Sequence, residues 1–229
     1  MNISVIIVAG GRGSRMKSEL PKQFLPLAGR PVLMHTVERF YEALPEARLI
    51  VVLPGDLLGY WQQLCAGHGF RIDHEVCAGG ETRFGSVRNG LALAGRADYI
   101  AVHDGARPLV SREVILGALD CAVARGTGVP AIVPCDSFRM MGSGAMQVVD
   151  RDKLRAIQTP QVFRAGILRE AYELPYQPRY TDDASVVEQA GYTITLCDGE
   201  SRNLKITTPD DLKMAAALLN MQDHVEKNE

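Results

Sequence analysis

Ile3-Ser-Val-Ile-Ile-Val-Ala-Gly-Gly-Arg-Gly-Ser-Arg-Met16 passes from an apolar run straight into glycine and arginine, and Pro21-Lys-Gln-Phe-Leu25 follows within a few residues. The run Val5 to Ala9 has the length and residue types of a buried strand. Gly10, Gly11 and Gly13 come next, with Arg12, Arg15, Lys17 and Lys22 close behind. A strand end, bare N–H groups and clustered cations, in that order, describe a polyphosphate cradle. Glycine permits close backbone approach, and Arg and Lys supply compensating charge. Two common phosphate loops are excluded. A Walker loop needs Lys directly after its second glycine, and none is there. A dinucleotide loop needs Gly-x-Gly-x-x-Gly; Gly11 and Gly13 fit, but Met16 takes the third place. A glycine-rich turn with solvated charges is the competing reading. Lys22 between Pro21 and Gln23 is poor filler for a surface helix and argues against it.

The chain has 229 residues and is read as a single domain, 1–229. A chain this long buries roughly 70% of its unfolded surface, enough for a core without staples. A net charge of −2 provides no basic field, so a nucleic-acid partner is not expected. The five cysteines, Cys65, Cys77, Cys121, Cys135 and Cys197, form no CxxC pair. They read as free thiols of a reducing cytoplasm rather than a zinc or redox site. No apolar run approaches the ~20 residues of a membrane span, and the N-terminus lacks the basic region of a leader peptide.

Periodicity predicts strands over Ile3–Val8, Leu49–Leu53, Arg71–Val76, Tyr99–His103, Val129–Val133 and Thr193–Leu196. It predicts helices over Val32–Leu44, Leu57–Ala66, Arg83–Leu93, Arg112–Arg125, Ala165–Glu173, Asp182–Gln189 and Asp210–Leu219. Ser111 and Thr208 read as N-caps, the latter with Pro209 at the first helical position and Asp211 in the first turn. Short apolar strands between amphipathic helices imply an α/β fold: a Rossmann-like, mostly parallel sheet covered by helices on both faces. Ligands of such sheets bind beyond the carboxyl ends of the strands. The glycine loop lies there, and so does His103-Asp104-Gly105. Residues 136–153 break the pattern. Phe138–Met141 and Gln147–Val149 around Gly142-Ser-Gly144 read as an apolar β-hairpin. A lone hairpin is marginal in water, so this one either folds back on its own domain or protrudes as an arm that clasps a second subunit. The arm is the favoured reading.

Eight segments now stand in order: Ala9-Gly-Gly-Arg-Gly-Ser-Arg-Met, Pro21-Lys-Gln-Phe, Gly80-Glu-Thr-Arg-Phe-Gly-Ser-Val, Val102-His-Asp-Gly-Ala-Arg-Pro, Asp150-Arg-Asp, Gln158-Thr-Pro-Gln, Thr181-Asp-Asp-Ala and Asn203-Leu-Lys-Ile-Thr. With all eight, the chain resembles the 2-C-methyl-D-erythritol 4-phosphate cytidylyltransferases, the CTP-using enzymes of non-mevalonate isoprenoid synthesis. The resemblance runs from Ile3 to about Leu219. It implies a fold of the nucleotide-diphospho-sugar transferase type, a homodimer joined by crossed arms, and a divalent cation such as Mg2+. It implies that Arg15 and Lys22 stabilise the triphosphate and the transition state, that Gly80 to Ser86 hold cytosine and ribose, and that the arm reaches the neighbouring site.

The implied reaction is attack of a phosphate monoester on the α-phosphorus of CTP, with release of pyrophosphate. A monoester with its second pKa near ~6 is already a nucleophile at neutral pH, so no triad is expected. The difficulty is an anion approaching a polyanion, which calls for positioning and charge neutralisation. With the family match, Arg15, Lys22, Arg151 and Lys205 are the expected catalytic residues, with Lys205 on the α-phosphate. Ala9, Gly10, Gly11, Gly13, Gly80, Arg83, Ser86 and Asp104 are expected around CTP; Gly79 adds room for the flat base and Ser86 reads its edge. The acceptor, a polyol phosphate, is expected at Asp104, Arg107, Ser137, Arg151, Thr159, Thr181 and Lys205, with Asp182 nearby. Arg151 suits it because a guanidinium grips phosphate bidentately. Asp104 is also the expected metal ligand. Ser137 departs from the family's usual Thr. His35, His68, His74 and His224 carry no motif, and His103 stands beside Asp104. A ribitol 5-phosphate cytidylyltransferase is the nearest alternative; a non-catalytic nucleotide sensor of the same fold is the alternative of another class.

Overall fold

The computed structural model describes residues 1–11, 20–142, 144 and 146–226. Strand β1 (Ile3–Val8) comes first, and a two-residue ladder of β2 (Pro26–Leu27) and β3 (Arg30–Pro31) leads to helix α1 (Val32–Ala43). Next are β4 (Arg48–Leu53), α2 (Leu58–Gly67), β5 (Glu75–Ala78), α3 (Arg83–Leu93), β6 (Tyr99–Asp104), α4 (Arg112–Arg125) and β7 (Thr127–Ile132). The hairpin strands β8 (Phe138–Met140) and β9 (Gln147–Val149) precede β10 (Ala156–Ile157), β11 (Gln161–Arg164), α5 (Ala165–Ala171), α6 (Asp183–Gln189), β12 (Leu196–Asp198) and α7 (Pro209–Glu226).

The main sheet runs β10-β7-β11-β6-β1-β4-β5, with β12 also on β7. Pairings β1·β4, β1·β6, β4·β5 and β7·β12 are parallel. Only β11 and β10 run against their neighbours. The fold is thus the mostly parallel, helix-covered sheet expected of α/β patterning. Alternation along β1 shows why both faces are covered. Val5 and Ile7 pack among Leu33, Met34 and Phe40 of α1 and Ile115 of α4. Ile6 between them points the other way, to Val87 and Leu91 of α3 and Leu168 of α5. After β1 the chain places β4 on one side and β6 on the other. The crevice at that reversal is where such sheets bind ligands, and the register Val8↔Asp104 sets the two strand ends side by side there.

Several elements differ from their sequence expectation. The strand expected over Arg71–Val76 begins only at Glu75, because Phe70 and Ile72 pack against the core from irregular backbone. The strand expected over Thr193–Leu196 shifts to Leu196–Asp198, where it pairs with Val129 to Ala131. Strand β11 has no expectation, although it lies in the sheet between β6 and β7. Four residues hemmed by Pro160 and a helix carry too little alternation to show. The last helix runs on from Asp210–Leu219 to Glu226. Ser111 and Thr208 do cap: the Val114 and Asp211 amides donate to their hydroxyls. Asp182 caps α6, in a reciprocal box with Ser185. Strands β8 and β9 form a hairpin that pairs with no other strand among the described residues.

Close packing of α4 on β7 depends on Gly128. A Cβ there would lie 2.0 Å from the Ala118 carbonyl oxygen, which is backbone and cannot swing aside. Gly128→Ala is therefore expected to lower the unfolding free energy by about 3 kcal/mol through overpacking, read as a lower urea midpoint.

Candidate active site

A cavity of about 260 Å³ opens at the switch point. Its walls are the end of β1 and the start of the glycine loop (Val8 to Gly11), the Gly80–Arg83 turn with Ser86 of α3, the end of β6, and Lys22 and Lys205. Each wall is placed by local rules. The Thr82 hydroxyl caps α3 by accepting from the Gly85 amide, so Arg83 is fixed at the first helical position. Ser86 accepts from the Gly80 amide and donates to the Thr82 carbonyl, drawing the Gly79–Gly80 turn against the helix. A Cβ on Gly80 would come within 2.9 Å of the Gly85 backbone; only glycine lets the turn approach so closely.

Asp104 stands at the centre, nearly buried. Lys205 Nζ lies 2.8 Å from its Oδ2, Arg107 Nε 3.5 Å from the same oxygen, and Arg83 Nε 3.6 Å from Oδ1. Burial alone would raise the pKa of Asp104. Arg83, Lys205 and Arg107 together overcome that and hold it well below the usual carboxylate range. Burial likewise opposes the charge on Arg83, but Asp183 and Asp104 outweigh it, so the guanidinium stays charged. Arg107 is tied elsewhere too, donating from Nη1 to the Asn203 carbonyl at 2.7 Å. Buried Asn203 donates to the Thr159 carbonyl at 2.9 Å. These two bonds hold the Asn203–Thr207 segment against the sheet and carry Lys205 to the cavity. Lys22 reaches the same segment, donating to the Ile206 carbonyl at 2.9 Å. Two lysines from opposite ends of the sequence thus line one chamber.

The structure brings together Ala9, Gly10, Gly11, Lys22, Gly80, Arg83, Ser86, Asp104 and Lys205. Arg107 stands behind Asp104. Gly13 and Arg15, like Arg12 and Lys17, lie outside the described residues. Thr159 is buried with its hydroxyl turned inward: it accepts from the Asp104 amide at 3.1 Å and meets His103 Nδ1 at 3.1 Å. Thr181 is exposed just ahead of α6. Ser137 and Arg151 are exposed at the base of the hairpin, where Arg151 Nη1 donates to the Cys135 carbonyl at 2.8 Å. None of these last four lines the cavity. Gln23, Glu81 and Thr82 also line it, though sequence reading assigns none of them a role of its own. Gln23 is buried and donates to the Ala9 carbonyl at 2.7 Å, fixing the exit of β1. Its burial is not legible locally, but its place in Pro21-Lys-Gln-Phe is a usable signal.

His103 is wholly buried beneath Asp104. Its Nε2 is 3.2 Å from the Arg107 carbonyl and must carry the proton donated there, which leaves Nδ1 to accept from Thr159. Burial pushes its pKa down to about 3, with Asp104 only partly opposing. His35 is also lowered by burial. Below pH 6.5 the unfolded chain then binds protons that the folded chain refuses, so stability falls as pH falls. From His103 alone the slope reaches about 1.4 kcal/mol per pH unit, and below 3.8 the unfolded chain's Asp104 takes up a proton while the folded carboxylate stays ionised, which adds to it. Urea unfolding between about pH 7.5 and 4.5 is expected to show this decline, and His103→Gln a shallower one.

An α/β sheet whose switch point holds a glycine-walled, cation-rich cavity is the architecture of a nucleotidyltransferase. A family model described as 2-C-methyl-D-erythritol 4-phosphate cytidylyltransferase matches residues 3–221. The protein of that name from Bacteroides fragilis is 48% identical over 216 residues, covering 94% of this chain and 99% of the relative. The crystal structure of the Thermus thermophilus 2-C-methyl-D-erythritol 4-phosphate cytidylyltransferase superposes with a TM-score of 0.75 at 33% identity, covering 95% of this chain and 98% of that one. The Anaerococcus prevotii 4-diphosphocytidyl-2C-methyl-D-erythritol synthase gives 0.81 at 27% identity, covering 96% of each. The chain belongs to the 2-C-methyl-D-erythritol 4-phosphate cytidylyltransferase family. No described helix is long and apolar enough to cross a membrane.

Proposed function

We propose that this enzyme transfers the cytidylyl group of CTP to 2-C-methyl-D-erythritol 4-phosphate, giving 4-diphosphocytidyl-2-C-methyl-D-erythritol and pyrophosphate in non-mevalonate isoprenoid synthesis. The observation that carries the mechanism is the convergence of Lys22, Lys205 and Arg83 on one glycine-walled cavity around Asp104. An acceptor phosphate oxygen attacks the α-phosphorus in line, an O–P bond forms, and the bond to the β-phosphate breaks. Charge on the phosphoryl oxygens is met by cations already in place, which need little reorganisation. Lys205 exchanges Asp104 for the α-phosphate and draws donor and acceptor together. Lys22 and Arg15 hold the β- and γ-phosphates. Cytosine lies against Gly10, Gly79 and Gly80, whose spacing Ser86 fixes, and Asp104 accepts from sugar hydroxyls.

The reading includes a divalent cation. No cluster of three acidic, His or Cys side chains that could hold a metal exists among the described residues, and Lys205 occupies Asp104. Mg2+ takes one or two carboxylates plus substrate phosphates, so the ion fits here as a companion of the triphosphate, with Asp104 as its protein ligand. It would neutralise phosphate charge. Free thiols at all five cysteines support a reducing, cytoplasmic setting.

With CTP and the acceptor, pyrophosphate release is expected, faster than with ribitol 5-phosphate and abolished by EDTA. Lys22→Ala is expected to retain the fold and lose at least ~100-fold in kcat, the scale of losing one preorganised transition-state contact. A near-normal kcat would remove Lys22 from the mechanism.

The homodimer joined by arms belongs to the same proposal. Exposure of Phe138, Met140, Met141, Met146 and Val148 on one short hairpin supports it. So does the position of Arg151 and Ser137 on the hairpin base rather than in the cavity. An arm that reaches the neighbouring site lets two crippled subunits repair each other. Mixed Arg151→Ala and Lys22→Ala chains, refolded together, are expected to recover about a quarter of wild-type activity, since half the dimers are mixed and carry one intact site of two. Mixtures no better than either parent would place each arm on its own subunit.

A further inference from the structure

Asp183 is a buried carboxylate that neither the reaction nor the cavity wall accounts for. It is fully buried at the first position of α6 and does not line the cavity. Both its oxygens are used at 2.6 Å. Tyr172 donates its hydroxyl to Oδ1, and Arg83 donates from Nη2 to Oδ2. The Tyr172 ring also stacks on Phe84, next to Arg83, with centroids 4.6 Å apart and planes 17° apart. The turn that carries Asp183 is itself pinned by Gln161 of β11, which donates to Asp182 and accepts from the Ala184 amide, both at 2.8 Å. A buried charge is tolerated only where its partner and geometry are fixed, and here every neighbour of Asp183 is held from a second side.

We infer that Tyr172 and Asp183 form a buried positioning pair that keeps the Arg83 guanidinium on the nucleotide wall and off Asp104. The two distances carry the argument. Arg83 is hydrogen-bonded to Asp183 at 2.6 Å but stands 3.6 Å from Asp104, beyond hydrogen-bonding range. Arginine and a carboxylate left to themselves close into a two-pronged pair. Such a pair would cover the Oδ1 edge of Asp104, compete with Lys205, and turn the guanidinium away from the cavity. Asp183 claims one prong first. Asp104 stays with the more exchangeable Lys205, and Arg83 keeps its remaining donors for an anionic or polar ligand. Asp183 and Tyr172 thus act on nucleotide binding through Arg83 and touch no reacting atom.

This inference rests on the cavity being the CTP site, and the test separates the two. Steady-state kinetics with each substrate varied are compared for wild type, Tyr172→Phe, Asp183→Asn, Arg83→Gln and the Asp183→Asn/Arg83→Gln double variant, alongside thermal melting. Tyr172→Phe keeps the ring stack and removes one hydrogen bond to a charged group. It is expected to raise KM for CTP about tenfold, with KM for the acceptor unchanged and melting within a few degrees of wild type. Asp183→Asn should raise it further. The double variant should be no worse than Arg83→Gln alone, because a residue acting through Arg83 has nothing left to position. Losses that multiply, or a rise shared equally by both substrates, would assign Asp183 a general structural role. If Asp183→Asn does not fold, Tyr172→Phe decides: a normal KM for CTP in the folded variant overturns the inference. If wild type transfers no cytidylyl group, the proposed function fails instead. Calorimetric titration of CTP into wild type and Tyr172→Phe then still reads the positioning pair: a Kd weaker by about tenfold supports it, and an unchanged Kd overturns it.

Discussion

One carboxylate buried at the end of a central strand sets the terms for the whole site. Asp104 lies where β6 leaves the sheet, in register with the last residue of β1, and draws cations from three separate segments. Arg83 arrives from the start of α3, Arg107 from the next turn, and Lys205 from the segment before α7. An ionised carboxylate with so little solvent would be untenable alone. These cations would in turn repel one another without it. The arrangement holds only as a set, so the fold must deliver all its members together.

Such a set is not a general means of stabilising a protein, since buried ion pairs roughly balance their desolvation against their attraction. Its value is that cations are assembled before the polyanion arrives. Lys205 rests on Asp104 and Lys22 on the Ile206 carbonyl. On the proposed reading a triphosphate takes over both contacts while Arg83 and Arg107 stay with Asp104, and the cost of gathering like charges has been met during folding. This is preorganisation in its electrostatic sense, and it assigns different work to the three cations around Asp104. Arg107, anchored to Asn203, cannot leave. Arg83, anchored to Asp183, can offer donors without moving. Lys205, two-fifths exposed on a side chain with many rotatable bonds, is the mobile one.

What the sequence reveals of this follows how local each signal is. Strand β1 and helices α3 and α4 are found where expected, because the apolar spacing that specifies each lies within its own segment. Asp104 stands out because charge beside a strand end is conspicuous, whereas Lys205 is marked only by its place in the family motif Asn203-Leu-Lys-Ile-Thr. Strand β11 is silent because four residues in the middle of a sheet owe their conformation to neighbours on both sides. The same holds for Asp183 and Gln23, whose burial is decided by residues far away in sequence. Thr159 shows the limit most clearly. Its motif marks it for attention, yet its hydroxyl is spent on His103 and on the Asp104 amide, which no spacing rule foretells.

The distribution of these residues also bears on what a single chain can do. Much of the cavity wall suits the proposed nucleotide: glycines for a flat base, Asp104 for hydroxyls, Lys22, Lys205 and Arg83 for phosphates. Arg151 and Ser137, marked for the acceptor, lie outside it on a hairpin whose apolar side chains face solvent. A two-stranded ribbon with so many uncovered apolar residues has little reason to hold its shape in water alone. Covering it and completing the acceptor side are two demands with one economical answer: a second copy of the chain. On the proposal of a dimer joined by its arms, the unit of catalysis is the pair, each subunit supplying the nucleotide chamber for one reaction and the acceptor's cation for the other.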